Sequence, residues 1–245
     1  MFGTIWVTGA SSGIGAAFVD AIPTADSRVI GVSRRPHPAA EHFAADLSDP
    51  AIWPAVEASF TDGMASGSGE RVLFFHCAGV VDPAGPMGSL YPADYTRAVL
   101  LNAASGQVLG RSFLSAAQRA GVAATLVVCS SPSAHKSLPG MTHYCAGKAA
   151  LEQWTRVAAA ELGDDPGAPQ IFSIVPYAVD TAMVRESMER TAEELPISEH
   201  FRKAAANEAL ATPKQVAAEI WSAIERGVGG GEAIPVGAVP EQVRG

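Results

Sequence analysis

Short runs of β-branched and aromatic residues alternate along the chain with longer alanine-rich stretches, the pattern of strands followed by crossover helices. It predicts strands over residues 3–8, 28–33, 42–45, 71–76, 124–130, 170–175 and 232–235. The helices between them are predicted over 13–22, 49–60, 92–120, 142–162 and 213–226. The runs VLFF and TLVVCS are apolar without alternation, as central strands covered on both faces should be. Asp49 before Pro50 and Thr212 before Pro213 read as helix caps followed by proline at the first helical position. The expected architecture is α/β, a doubly wound parallel sheet of about seven strands with helices on both faces, formed by residues 1–245 as one domain.

Two segments depart from the alternation. Residues 62–70, rich in Gly and Ser, read as a linker too short to divide the chain. Residues 177–207 scatter Met183, Met188, Leu195, Ile197 and Phe201 among charges. A segment of that kind late in such a sheet is expected to form a substrate lid, or else two ordinary amphipathic surface helices.

Composition narrows the function classes. Apolar residues are 48% of the 245 and charged residues 17%, enough for a sizeable core. The formal net charge is −8, which argues against nucleic acid as a partner. Apolar runs fall far short of the roughly 20 residues of a membrane span. The first ten residues lead into a strand pattern without a basic leader, so a soluble cytoplasmic protein is expected. Cys77, Cys129 and Cys145 form no Cys-x-x-Cys pair, so neither a disulfide framework nor a metal site is expected, and all three read as small buried apolar residues.

The run TGASSGIG places Gly9, Gly13 and Gly15 between the first strand and the first helix. This is the context of a dinucleotide cradle, in which glycines permit a sharp turn and a close approach of the pyrophosphate. Backbone N–H groups at the helix start, with Ser11 and Ser12, supply donors where the helix dipole favours an anion. At the end of the second strand, VSRRP has Ser33 where an acidic residue would grip a ribose 2′-hydroxyl, then Arg34 and Arg35. A guanidinium grips a phosphate, so NADP is expected over NAD. Asp46 and Leu47, after the third strand, are candidates for the adenine side, or a simple turn.

Tyr144 and Lys148 are four apart in a predicted helix and share one face. An ammonium beside a phenol, with a cationic nicotinamide, is expected to lower the phenol pKa and make a usable general acid or base. Ser131 ends the apolar strand TLVVCS, at the carboxyl edge where ligands of parallel sheets bind. TGASSGIG, a strand-end Ser and YCAGK, in that order, resemble the short-chain dehydrogenase/reductase family with its Rossmann fold, over essentially the whole chain.

The resemblance implies roles. Tyr144 would transfer the proton, Lys148 would lower its pKa and hold the nicotinamide ribose, and Ser131 would bond the substrate oxygen. Asn102 would complete a proton relay through water. Ile14, Ala78, Gly79, Pro176, Val179 and Thr181 would line the nucleotide, Thr181 at its carboxamide. His76 and Cys77 stand where the family has two Asn, and Tyr177 follows Pro176 where it has Gly. VSRRP and VPYAVDTAM look most like the branch of sepiapterin and benzil reductases. The implied activity is NADPH-dependent reduction of a small-molecule ketone or diketone, aromatic or pterin-like, by a homodimer or homotetramer. Its rivals are an NADP-sensing protein without catalysis and an NAD-linked alcohol dehydrogenase of the same fold.

Overall fold

The computed structural model describes residues 2–23, 27–65, 71–163, 165 and 167–237. Seven parallel strands form one sheet in the order β3-β2-β1-β4-β5-β6-β7. They are β1 Phe2–Thr8, β2 Arg28–Ser33, β3 Glu41–Ala44, β4 Arg71–His76, β5 Ala124–Cys129, β6 Gln170–Pro176 and β7 Ala233–Val236. The order reverses between β1 and β4, so a crevice opens beyond their carboxyl ends.

The apolar runs are central because consecutive side chains feed opposite cores. Ile5, Val7, Leu73 and Phe75 meet α1 (Gly13–Asp20) and α8 (Pro213–Glu225), where Phe18 stacks on Trp221 at 4.7 Å. Trp6, Val72 and Phe74 face the other core, beside α2 (Trp53–Ala65), α4 (Ser105–Ala120) and α5 (Thr142–Leu162). There Trp6 and Phe74 close on Phe60 at 5.3 and 5.0 Å. Thr212 caps α8 through a reciprocal pair with Gln215, as its sequence predicts.

Three expectations are corrected. Residues 92–120 are two helices, α3 (Pro92–Val99) and α4, joined by a π turn at Leu100–Ala104 that turns Asn102 inward. Asp49 caps a 3₁₀ turn, Pro50–Ile52, and α2 begins only at Trp53. Residues 62–65 of the expected linker continue α2, because Gly63 and Met64 pack against the core; 66–70 lie outside the described residues. Residues 177–207, expected as a lid or as two amphipathic helices, hold α6 (Ala182–Glu189) and α7 (Ile197–Ala206), both bordering the crevice.

Gly106 sets how closely α4 approaches the sheet. A Cβ there would lie 2.6 Å from Leu151 Cδ2 and 2.8 Å from His76 Cδ2. In an unconstrained helix, Gly→Ala stabilises by about 1 kcal/mol. Here overpacking of two fully buried neighbours, typically about 1–3 kcal/mol, is the larger effect. Gly106→Ala is therefore expected to lower the urea midpoint, and a raised midpoint would show that α4 moves away freely.

Candidate active site

The nucleotide half starts where β1 stops. Gly9 and Gly13 have φ of +68° and +56°, a region that favours glycine. A Cβ on Gly9 would come within 3.1 Å of the Ala78 backbone, one on Gly13 within 3.3 Å of the Thr181 methyl, and one on Gly15 would strike the Gly9 carbonyl. Ser12 is the extended N-cap of α1, and its side chain makes no capping bond. The first turn of α1 thus faces the crevice with its positive dipole end and without Cβ atoms in the way, a shape and polarity that fit a diphosphate. Behind it, the Thr8 hydroxyl oxygen accepts from the Cys77 and Ala78 N–H groups at 3.0 and 3.1 Å. Its own proton is then available to His76 Nδ1, 3.1 Å away, which assigns the imidazole hydrogen to Nε2. His76 is fully buried, and burial followed by the nearby Lys148 charge lowers its pKa to about 3.

The chemical half lies across the crevice. Ser131 leaves β5 in an extended conformation, and its hydroxyl oxygen accepts from Ser133 N at 3.2 Å, capping the turn Pro132–His135. Its hydroxyl hydrogen is not consumed by that bond. On α5, the Lys148 ammonium donates to the Cys129 carbonyl at 2.8 Å and lies 5.5 Å from the Tyr144 ring centre. Lys148 is 2% exposed. Burial acts to discharge it, yet the Tyr144 phenol and the Cys129 and Cys77 thiols together outweigh burial and raise its pKa. Without a nicotinamide beside it, the Tyr144 pKa is raised. Burial is the largest influence and outweighs the lowering by Lys148 and by the hydrogen bond with Ser131.

Asn102 is fixed from all sides. Its amide donates to Val80 O at 2.8 Å and to His143 Nδ1 at 3.2 Å, and its carbonyl oxygen accepts from Val80 N at 2.9 Å. His143 Nε2 then donates to Pro83 O at 3.1 Å, and burial lowers the His143 pKa. The Asn102 backbone carbonyl reaches α5 only because residue 147 is glycine, with a Cβ there falling 3.1 Å from that oxygen. Glu152, one turn beyond Lys148 and 1% exposed, accepts from Ser130 Oγ at 2.8 Å and from Arg156 at 2.9 Å, with His135 Nε2 at 2.7 Å. It ties the strand end that carries Ser131 to the helix that carries Tyr144.

One crevice brings together Gly9, Ser12, Gly13, Ile14, Ala78 and Gly79 with Ser131, Tyr144, Lys148, Pro176, Val179 and Thr181. Tyr177 forms part of its wall. Thr181 caps α6, its hydroxyl accepting from Val184 N at 3.4 Å, and touches the glycine turn. Ser11, Gly15 and Asn102 lie outside that lining; Gly15 and Asn102 are buried. Ser33 is buried and donates to Arg35 O at 2.6 Å, while Arg34 and Arg35 are exposed. Arg34 and Asp46 border a separate shallow hollow with Arg97. Asp46 is a turn residue there, accepting from Ser48 and, at 2.7 Å, from Arg97; Leu47 is core, with its carbonyl taken by Trp53 Nε1. His143, Glu152 and the partnership of Cys77 with Cys129 were not anticipated from sequence. Only Glu152 carried a signal, the four-residue spacing from Lys148.

A family model described as short chain dehydrogenase matches residues 3–192. The chain belongs to the short-chain dehydrogenase/reductase family. It is an oxidoreductase of a family served by NAD or NADP. It is 23% identical over 230 residues to the (S)-benzoin-forming benzil reductase of Bacillus cereus, covering 89% of this chain and 92% of that one. It is 30% identical over 192 residues to an NADPH carbonyl reductase 2 of Sus scrofa, covering 73% and 72%. A short chain dehydrogenase/reductase of Saccharomyces cerevisiae superposes with a TM-score of 0.80 at 19% identity over 95% of each chain. The ligand-free aldohexose dehydrogenase of Thermoplasma acidophilum gives 0.77 at 20% identity over 98% of each. The expected fold and the likeness to the benzil reductase branch of the family are borne out.

Buried neutral His76 also sets a pH dependence of stability. Its folded pKa lies below its unfolded value, so its contribution is complete above about pH 6.5 and is lost as pH falls toward about 3. The loss approaches 1.4 kcal/mol per pH unit within that window. Urea midpoints of His76→Asn are expected to fall less steeply than those of the parent between pH 6.5 and 4, and parallel curves would remove His76 as the cause.

Proposed function

We propose that the protein is an NADP-dependent carbonyl reductase in which Tyr144 donates the proton. The observation that carries this reading is the phenol itself. It carries its proton at neutral pH, as a tyrosine does, and Lys148 stands beside it to stabilise the phenolate it leaves.

When bound, the reduced nicotinamide supplies the hydride. The residues of the chain do the rest. Ser131 donates its hydroxyl hydrogen to the substrate oxygen, while the bond from Ser133 N holds its oxygen in place. Tyr144 gives its proton to that oxygen as negative charge develops there. Lys148, with one hydrogen on Cys129 O, has two left for the ribose and for a water on the Asn102 backbone carbonyl that returns the proton to Tyr144. The relay uses that backbone oxygen because both amide hydrogens of Asn102 and the oxygen beside them are tied to Val80 and His143. Arg34 and Arg35, exposed beyond β2, grip the 2′-phosphate. Segment 177–207 acts as the lid. Met183, Ile197 and Phe201 give the substrate end an apolar wall with Tyr177, which suits a flat ketone or 1,2-diketone.

Loss of NADPH absorbance with aromatic 1,2-diketones, ketones and pterins tests the reading. Tyr144→Phe is expected to lower kcat by about 10²–10⁴-fold while NADPH binding persists; undiminished turnover would overturn the assignment. Arg34→Ala is expected to weaken NADPH binding by roughly 10–100-fold, the worth of a charged hydrogen bond, and to leave NADH binding unchanged. An unaltered preference between the two nucleotides would refute the phosphate grip.

A further inference from the structure

Cys77 and Cys129 are neighbours across β4 and β5. Their pairing is the next step after Phe75 with Val127 and His76 with Val128, and both side chains fall on the sheet face of Phe75 and Val127. Adjacent strands run about 4.8 Å apart, inside the Cα separation of about 4.4–6.8 Å that a disulfide spans. Both line the crevice, and the Cys129 thiol donates to Ser130 O at 3.7 Å.

Their surroundings favour a sulfur anion over a metal. Lys148 sits on the Cys129 carbonyl at 2.8 Å. A fixed ammonium repels a cation. Cys77, beside Cys129, lowers the Cys129 pKa to about 7, against burial and with help from Lys148, while Cys129 and burial push the Cys77 thiol well up. One sulfur is poised to attack and the other holds its proton. Cys145 packs instead with Val81 and Leu195 on the substrate side.

We propose that Cys77 and Cys129 form an oxidisable dithiol under the nucleotide cradle, which a hydroperoxide converts to a disulfide that weakens cofactor binding. The Cys129 thiolate attacks the peroxide; an S–O bond forms, the O–O bond breaks, and the departing oxygen takes a proton to leave as an alcohol or water. Cys77 then attacks the resulting sulfenic acid; the S–S bond forms, the S–O bond breaks, and water leaves with the Cys77 proton. Two thiols have given two electrons and two protons to one hydroperoxide. The disulfide pulls the ends of β4 and β5 together, and Ala78, next to Cys77, is the backbone on which Gly9 rests. A nucleotide in the cradle covers both sulfurs and protects them. The protection and binding arms rest on the nucleotide-binding reading above; the cross-link does not.

The reduced full-length protein is exposed to hydrogen peroxide with and without NADPH, then alkylated, digested without reductant and analysed by mass. The expected result is a loss of two hydrogens, one peptide pair joined through Cys77 and Cys129, and Cys145 alkylated. NADPH binding, followed by fluorescence, is expected to weaken by about tenfold or more and to recover with dithiothreitol, and NADPH present during treatment should prevent the cross-link. In Cys77→Ala, a cyclic 1,3-dione should trap sulfenic acid at Cys129. Alkylation of both Cys77 and Cys129 after peroxide overturns the proposal, and so does a cross-link that leaves NADPH binding unchanged. Should the reduced protein fail to bind NADPH, the cofactor reading falls, and the joined peptides alone decide the dithiol.

Discussion

A buried positive charge is the constraint on which the site depends. Lys148 is 2% exposed, and among the described residues no carboxylate forms an ion pair with it. Enclosing such a charge is costly unless groups nearby answer it. Here the answers are the Cys129 carbonyl, the Tyr144 phenol and the two thiols, of which the carbonyl is the one hydrogen-bonded to the ammonium. The others answer fully only when they lose a proton. The ammonium therefore biases its whole neighbourhood toward anions, without any one group satisfying it at rest.

That charge can be buried only because helices approach the sheet and each other without side chains between them. Gly147 admits the Asn102 backbone, Gly79 lies beside both Asn102 and Lys148, and Gly106 admits His76. The π turn belongs to the same economy of space: it turns Asn102 toward Val80, where its amide replaces a missing strand partner on both N–H and C=O. His76 holds one junction as a neutral imidazole on Thr8, and His143 holds another on Asn102. Both stay neutral because burial disfavours their charge, so neither competes with Lys148 for the surrounding dipoles.

Much of this was legible in the chain, and what was not has a common cause. The strands were readable because each central one is covered on both faces, and their ends shift by only a residue or so, as at β3 and β7. Ser131, Tyr144 and Lys148 were readable because one strand end and one helix carry all three. The break at Leu100–Ala104 was not, because its reason is the backbone of Val80, brought up by tertiary packing. The Cys77 and Cys129 pair becomes visible only once β4 and β5 are known to be adjacent, 52 positions having separated them in sequence. Around Tyr144, likewise, spacing reveals the neighbouring cation but not the burial that opposes it, because the extent of burial is a property of the fold.

Burial and the cation pull the phenol in opposite directions. A raised pKa makes Tyr144 a weaker acid, so any proton it gives up depends on what stabilises the anion left behind. Lys148 is the group already in place, 5.5 Å from the ring centre, and a cationic nicotinamide would add to it. The two ends of the crevice separate accordingly: the charge and glycine geometry of the floor are fixed, while Tyr177, α6 and α7 are free to shape which substrate reaches it.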